Sequence, residues 1–211
     1  MSKDKLPSFS ARNEPQQSRA HKTVDAILQA TAELIEESGF EQLSTNQICK
    51  RASLTPPALY RYFPNKYAVM RELGERLFKA QRDILIVWEK ELAEVSVQPA
   101  DIERLLRRIL AETYKQPAGA WIMRSLHASP YLVELRLESL RALSAFLKDR
   151  VVRWHPHLNE TETYIRMRLA VESGYSIIEL IFDEPGLDAN QTIHLASENL
   201  SSFWRAGLGG L

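Results

Sequence analysis

The sequence predicts an all-α protein in which three N-terminal helices are joined by a long fourth helix to a larger helical body. Three observations carry this. Apolar residues recur at spacings of three and four from Val24 through Ile27, Leu28, Thr31, Leu34 and Ile35. No stretch alternates apolar and polar residues convincingly enough to read as a strand. Prolines at 99, 117, 130, 156 and 185 cut the remainder into segments of helical length.

Residues 1–18, polar and without apolar periodicity, read as a mobile arm. A first helix starts near Arg19 and stops at Gly39, a residue able to close it in the left-handed region. Ser44 with Gln47 has capping-box spacing and opens a second helix over Thr45 to about Ala52. Thr55 can cap a third, with Pro56 at the first position, where a missing N–H is harmless. That helix runs to about Tyr62 and is stopped by Pro64. Asn65 caps the fourth, whose stripe Val69, Met70, Leu73, Leu77, Ile84, Trp88 and Leu92 lasts about seven turns. Further helices are expected at about 100–116, 119–128, 131–154, 160–183 and 189–206.

The chain has 211 residues, 45% of them hydrophobic, enough for a sizeable core. Lys plus Arg and Asp plus Glu both number 27, so overall charge selects no partner. A single cysteine, Cys49, excludes an internal disulfide, and there is no Cys/His array for zinc. The N-terminus lacks the apolar core of a secretion signal, and no apolar run approaches the roughly 18 residues of a membrane span. A soluble, cytoplasmic protein is expected.

Two short helices joined by a tight turn and preceded by a longer one have the spacing of a helix-turn-helix. From Ser44 to Arg71 the chain carries Lys50, Arg51, Arg61, Lys66 and Arg71 and no Asp or Glu, which suggests a surface facing a polyanion. In this stretch TNQICKRASLTPPALYRYFPNKYAV resembles the signature of TetR-type regulators, and the likeness extends over about Thr23 to Leu73. It implies a DNA-binding head over 19–66 and an effector-binding and dimerisation domain over 67–211. By position, Thr45 corresponds to a phosphate contact and Leu54 and Leu59 to core residues. Thr55, Pro56, Pro57, Ala58 and Arg61 correspond to the groove-facing set, and Tyr60, Tyr62 and Lys66 to backbone contacts.

Elementary chemistry gives those roles content. Lys66 follows the Asn65 cap, where its ammonium and the first N–H groups of the fourth helix could share a phosphate. Tyr60 and Tyr62 could each lay a ring on sugar while the hydroxyl reaches phosphate. Arg61 can bind guanine O6 and N7 together, and Pro57 and Ala58 offer apolar contact to a thymine methyl. The Pro-Pro pair departs from many relatives and lowers the number of polar base readers, leaving more to Arg61, DNA shape and the arm. Phe63 reads as core and Tyr60 as surface. Lys3, Lys5, Arg12, Arg19 and Lys22 either touch the minor groove or belong to ordinary disorder.

Residues 160–183 open with Asn159 and Glu162 at capping-box spacing and become apolar on several sides. Ile178, Ile181 and Phe182 on that helix, with Ile193, Leu200, Phe203 and Trp204 on the last, are expected to form a four-helix homodimer interface, as the resemblance implies. Tyr114, Trp121, Arg124, His127, Arg168, Glu172 and Tyr175 are candidate contacts to a small, mostly apolar effector. Arg168 and Glu172, four apart, could equally be a surface pair, and Trp121 and Met123 could be core.

Catalysis finds little in the sequence. His155 and His157 flank a proline without a further ligand set, and Cys49 reads as packed rather than redox-active. Neither cofactor nor metal is expected. The leading function is a sequence-specific regulator binding double-stranded operator DNA, a repressor released by a small molecule. The alternative is a DNA-associated protein-interaction module without such an effector.

Overall fold

The computed structural model describes residues 18–92 and 97–205. Lys3, Lys5 and Arg12 of the expected arm lie outside them. The described residues form helices and no strand: α1 (Ser18–Ser38), α2 (Thr45–Arg51), α3 (Pro56–Tyr60), α4 (Lys66–Glu91), α5 (Pro99–Lys115), α6 (Gly119–Ala128), α7 (Val133–Trp154), α8 (Glu160–Asp183) and α9 (Ala189–Arg205). None of these helices is long and apolar enough to cross a membrane.

The described residues divide into two compact units, one within 1–77 and 116–135 and the other within 78–115 and 136–211. The division falls inside α4, eleven residues after the expected boundary at Lys66, and it places α6 with the N-terminal helices. Gly74 shows why α6 belongs there. A Cβ at that position would sit 3.0 Å from side-chain atoms of both Leu126 and Leu135, so the α4 backbone itself is the packing surface.

In the first unit Ile27, Ile35, Ile48, Leu59, Phe63, Val69 and Met70 are all buried and pack α1 to α4 around one core. Gly39, at φ 77°, ends α1, and the buried Phe40 meets the Tyr67 ring edge-on at 5.4 Å. The capping box opening α2 is complete: the Ser44 N–H donates to Gln47 Oε1 at 2.8 Å and the Gln47 N–H to Ser44 Oγ at 3.3 Å. Ser53 then takes φ 54°, a left-handed backbone, to turn the chain toward α3. Thr55 caps α3 in position only, since its side chain makes no cap hydrogen bond. α3 ends at Tyr60 rather than Tyr62: the Tyr62 N–H already bonds three residues back to Leu59, and Phe63 precedes a proline, which disfavours helical backbone. Asn65 caps α4, accepting from the Ala68 N–H at 2.9 Å. Cys49 is buried, and burial pushes its thiol up from the ordinary value, as expected for a packed residue.

In the second unit α9 packs on α5 and α8. Trp88 is fully buried, donates its indole N–H to the Asp101 carbonyl at 2.7 Å, and meets Trp204 edge-on at 5.8 Å. The cap at α8 is half of the expected box. Asn159 accepts from the Glu162 N–H at 3.0 Å, but the Glu162 carboxylate turns to Arg166, a stronger charged donor one turn on.

The expected dimer residues need correction. Ile178, Ile181, Ile193, Leu200 and Trp204 are buried in the core of this single chain; Phe203 packs against that core, and Phe182 is half-buried against the Tyr114 ring at 4.7 Å. α8 is apolar on several sides because it covers its own neighbours with one face and exposes another. Ile165, Leu169 and Leu180 are exposed at spacings that put them on one stripe, and Leu195 is exposed on α9.

Candidate nucleic-acid interface

The outward side of the helix-turn-helix is built on a buried scaffold. Ile48 from α2 and Leu59 from α3 lock the two helices together, while Leu54 is half-buried. With Leu59 facing inward, helical spacing turns its neighbours out. Thr55, Pro56, Pro57 and Arg61 are exposed, and Ala58 is half-buried. The two tyrosines part company. Tyr60 is 39% exposed and Tyr62 only 8%, so the Tyr62 ring is part of the core rather than a platform for a sugar. The Arg61 guanidinium carbon stands 5.8 Å from the Tyr62 ring centre.

The Tyr60 hydroxyl lies 2.9 Å from Thr45 Oγ1, joining the C-terminal end of α3 to the first residue of α2. Either oxygen can donate to the other, so one proton of the pair stays available for an anionic oxygen. Sequence spacing gave no hint of this pairing, because the residues are fifteen apart.

The basic stretch is acid-free in sequence but not in space. Arg51 reaches Glu37 at 2.7 Å and Glu33 at 3.1 Å, both on α1, and Arg71 reaches Glu75 at 2.8 Å. The Arg51 hydrogen bond holds the Glu37 carboxyl below its ordinary value. Glu33 is lowered too, first by its bond from Gln29 and then by Arg51. Lys66 departs from the expected role: its ammonium donates to the carbonyls of Phe40 and Glu41 at 3.1 and 3.2 Å and sits 4.7 Å from the Phe40 ring centre. It binds the turn after α1, whose carbonyls offer fixed acceptors. Lys50 and Arg61 are exposed cations of the helix-turn-helix.

The candidate effector residues divide between the two units. Trp121, Arg124 and His127 lie in the first unit, with the Arg124 guanidinium over the Trp121 ring at 5.1 Å and His127 exposed. Tyr114 is exposed on α5. Arg168 and Arg136 both bind Glu172, at 2.5 and 2.7 Å. Burial alone would raise that carboxyl, but the two arginines hold it below its ordinary range. Of the seven, Tyr175 alone lines the cavity of the second unit. This space of about 60 Å³ is walled by Leu85, Leu105, Leu106, Leu143, Ile178 and Trp204 among others. Sequence reasoning missed Gln81 and Thr113, which are buried beside Tyr175. As polar residues on amphipathic helices they pass for surface positions.

Residues 27–73 match the family model described as "Bacterial regulatory proteins, tetR family". The chain is 26% identical over 161 residues to the HTH-type transcriptional regulator UidR of Escherichia coli (strain K12), covering 75% of this chain and 71% of that protein. Among solved structures it resembles a putative TetR-family transcriptional regulator from Syntrophomonas wolfei str. Goettingen, with TM-score 0.70 at 13% identity over 90% of this chain and 97% of that one. It also resembles SmeT in a complex with triclosan, with TM-score 0.66 at 17% identity over 88% of this chain and 90% of that one. The motif, the helical architecture and these likenesses converge on a TetR-type helix-turn-helix head over residues 27–73, in a chain similar to TetR-family transcriptional regulators.

Proposed function

We propose that this protein is a repressor that binds operator DNA as a homodimer and leaves it when a small, mostly apolar molecule enters the cavity of the second unit. The observation that carries the reading is the apolar pocket of the second unit, walled almost wholly by hydrocarbon side chains. At about 60 Å³ it is smaller than the roughly 300–1,000 Å³ of a drug-sized site, so the ligand enters as the lining leucines yield. SmeT, seen with triclosan, offers a parallel in a protein of similar fold. The α8 stripe of Ile165, Leu169 and Leu180, with Leu195 of α9, supplies the dimer face.

At the DNA, Arg61 reads a base, Thr55, Pro56, Pro57 and Ala58 line the groove, and the Thr45–Tyr60 pair holds a phosphate. Because the pair is neutral, Tyr60→Phe should weaken binding about two- to tenfold on every sequence and leave the salt dependence unchanged. Lys50→Ala should instead lower the salt slope by about one. A loss for Tyr60→Phe that depends on sequence would assign the hydroxyl to a base.

The whole reading is tested with an operator selected from random DNA and a panel of small aromatic compounds. A compound that binds the cavity should lower operator affinity, and by linkage operator DNA should weaken that compound's binding by the same factor. If cavity binders leave operator affinity unchanged, release by a ligand is excluded and the protein-interaction module takes its place.

A further inference from the structure

Gln81 and Thr113, both buried, and the half-buried Tyr175 form a directed hydrogen-bond chain beside the cavity that Tyr175 lines. Thr113 donates its hydroxyl proton to the Ile109 carbonyl at 2.8 Å, and a carbonyl can only accept, so the one Thr113 proton is committed. The Thr113 oxygen therefore receives, and it does so from the Gln81 amide N–H at 2.9 Å. That fixes the amide with its oxygen toward Tyr175, whose hydroxyl donates to Gln81 Oε1 at 2.9 Å. Burial pushes the Tyr175 phenol up from its ordinary value against a smaller opposing pull from Arg82, so the hydroxyl keeps its proton at neutral pH. From Ile109 outward the Thr113 and Tyr175 hydroxyl protons are both committed. What remains at the end of the chain is the acceptor side of the Tyr175 oxygen.

The cavity that Tyr175 lines is otherwise hydrocarbon. Its lining residues include Leu85, Ile102, Leu105, Leu106, Leu147 and Ile178, and none is ionisable apart from Tyr175. A charged ligand would lose its hydration with no counter-charge to replace it. Building on the reading that this cavity takes an effector, we infer that it selects an uncharged, apolar molecule carrying one hydrogen-bond donor, an O–H or N–H, that binds the Tyr175 oxygen. The other polar side-chain group among the lining residues, the Trp204 indole N–H, is a donor and calls for the opposite pairing, so the two residues make separable demands.

The test uses the full-length protein and three single-ring probes: phenol, which brings a donor; anisole, which only accepts; and benzoate, which is an anion. Binding is followed by the methyl signals of the lining leucines and isoleucines. Phenol should bind on the order of tenfold more tightly than anisole, and benzoate should not bind detectably. Tyr175→Phe should erase the phenol preference, and Trp204→Phe should keep it. In Gln81→Leu the Tyr175 proton loses its acceptor and becomes available to a ligand, so the ratio should move toward anisole, a shift that general loosening of the core would not give. Anisole binding as well as phenol, measurable benzoate binding, a preference that survives Tyr175→Phe, or no perturbation of lining methyls by any probe would each overturn the inference. Operator affinity measured in parallel separates the two readings. Phenol bound with the stated preference but without effect on operator DNA removes ligand release and leaves the recognition rule standing.

Discussion

Leu169→Glu is expected to yield a folded monomer whose affinity for an operator of two half-sites falls by about 10²–10⁴-fold, the range gained when a second binding event becomes intramolecular. Leu169 is 50% exposed in the single chain, so a glutamate there costs the isolated fold little. In the proposed dimer it sits on the α8 stripe between Ile165 and Leu180, where an unpaired carboxylate would lose its water. Ile178→Glu makes the control. Ile178 is buried among the core residues of the same helix, and the substitution should unfold the second unit instead of separating subunits. Sedimentation, helicity and operator titration together decide it. A Leu169→Glu protein that stays dimeric with unchanged operator affinity would move the interface elsewhere.

Leu59→Ala is expected to cost about 2–5 kcal/mol, a large share of the stability of a small domain. Leu59 is fully buried, and the backbone N–H groups of both Tyr62 and Phe63 bond to its carbonyl, so it ties the end of α3 into the head core. Loss of that side chain should abolish binding to all DNA together with the thermal transition of the first unit. Arg61→Ala, two residues away and exposed, should leave unfolding unchanged and relax preference at one position of each half-site, by roughly 1–3 kcal/mol for a bidentate contact. Equal loss on every sequence for Arg61→Ala would make the guanidinium a phosphate ligand.

The contrast between these neighbours marks what was legible in the sequence. Where a local signal sets an element, the element is legible: Pro117 and Pro130 bracket α6, and Asn159 opens α8. Periodicity gives the angle of an apolar face but not the identity of what covers it. For that reason periodicity alone does not tell that Ile178, Ile193 and Leu200 face their own chain and not a partner. Charge read along the chain failed for the same kind of reason, since Glu33 and Glu37 lie outside the acid-free stretch and fold onto Arg51. Lys66 begins α4, as the Asn65 cap implies, yet the acceptors it finds belong to a turn about 25 residues earlier. Tyr175 was singled out, whereas the polar partners that fix its proton came into view only once α4, α5 and α8 were packed.

The left-handed Ser53 bears on how this head can vary. A side chain with a Cβ pays on the order of 1–2 kcal/mol to hold that backbone, a cost glycine escapes and asparagine softens. Ser53 is exposed and lies before the groove-facing set, so replacing it by glycine would relieve the turn without touching a residue proposed to read DNA. The position is thus a reserve of tolerance. A lineage carrying glycine there could accept a costlier substitution in the reading surface, such as loss of a stiffening proline at 56 or 57, and drift toward a new operator while the head stayed folded.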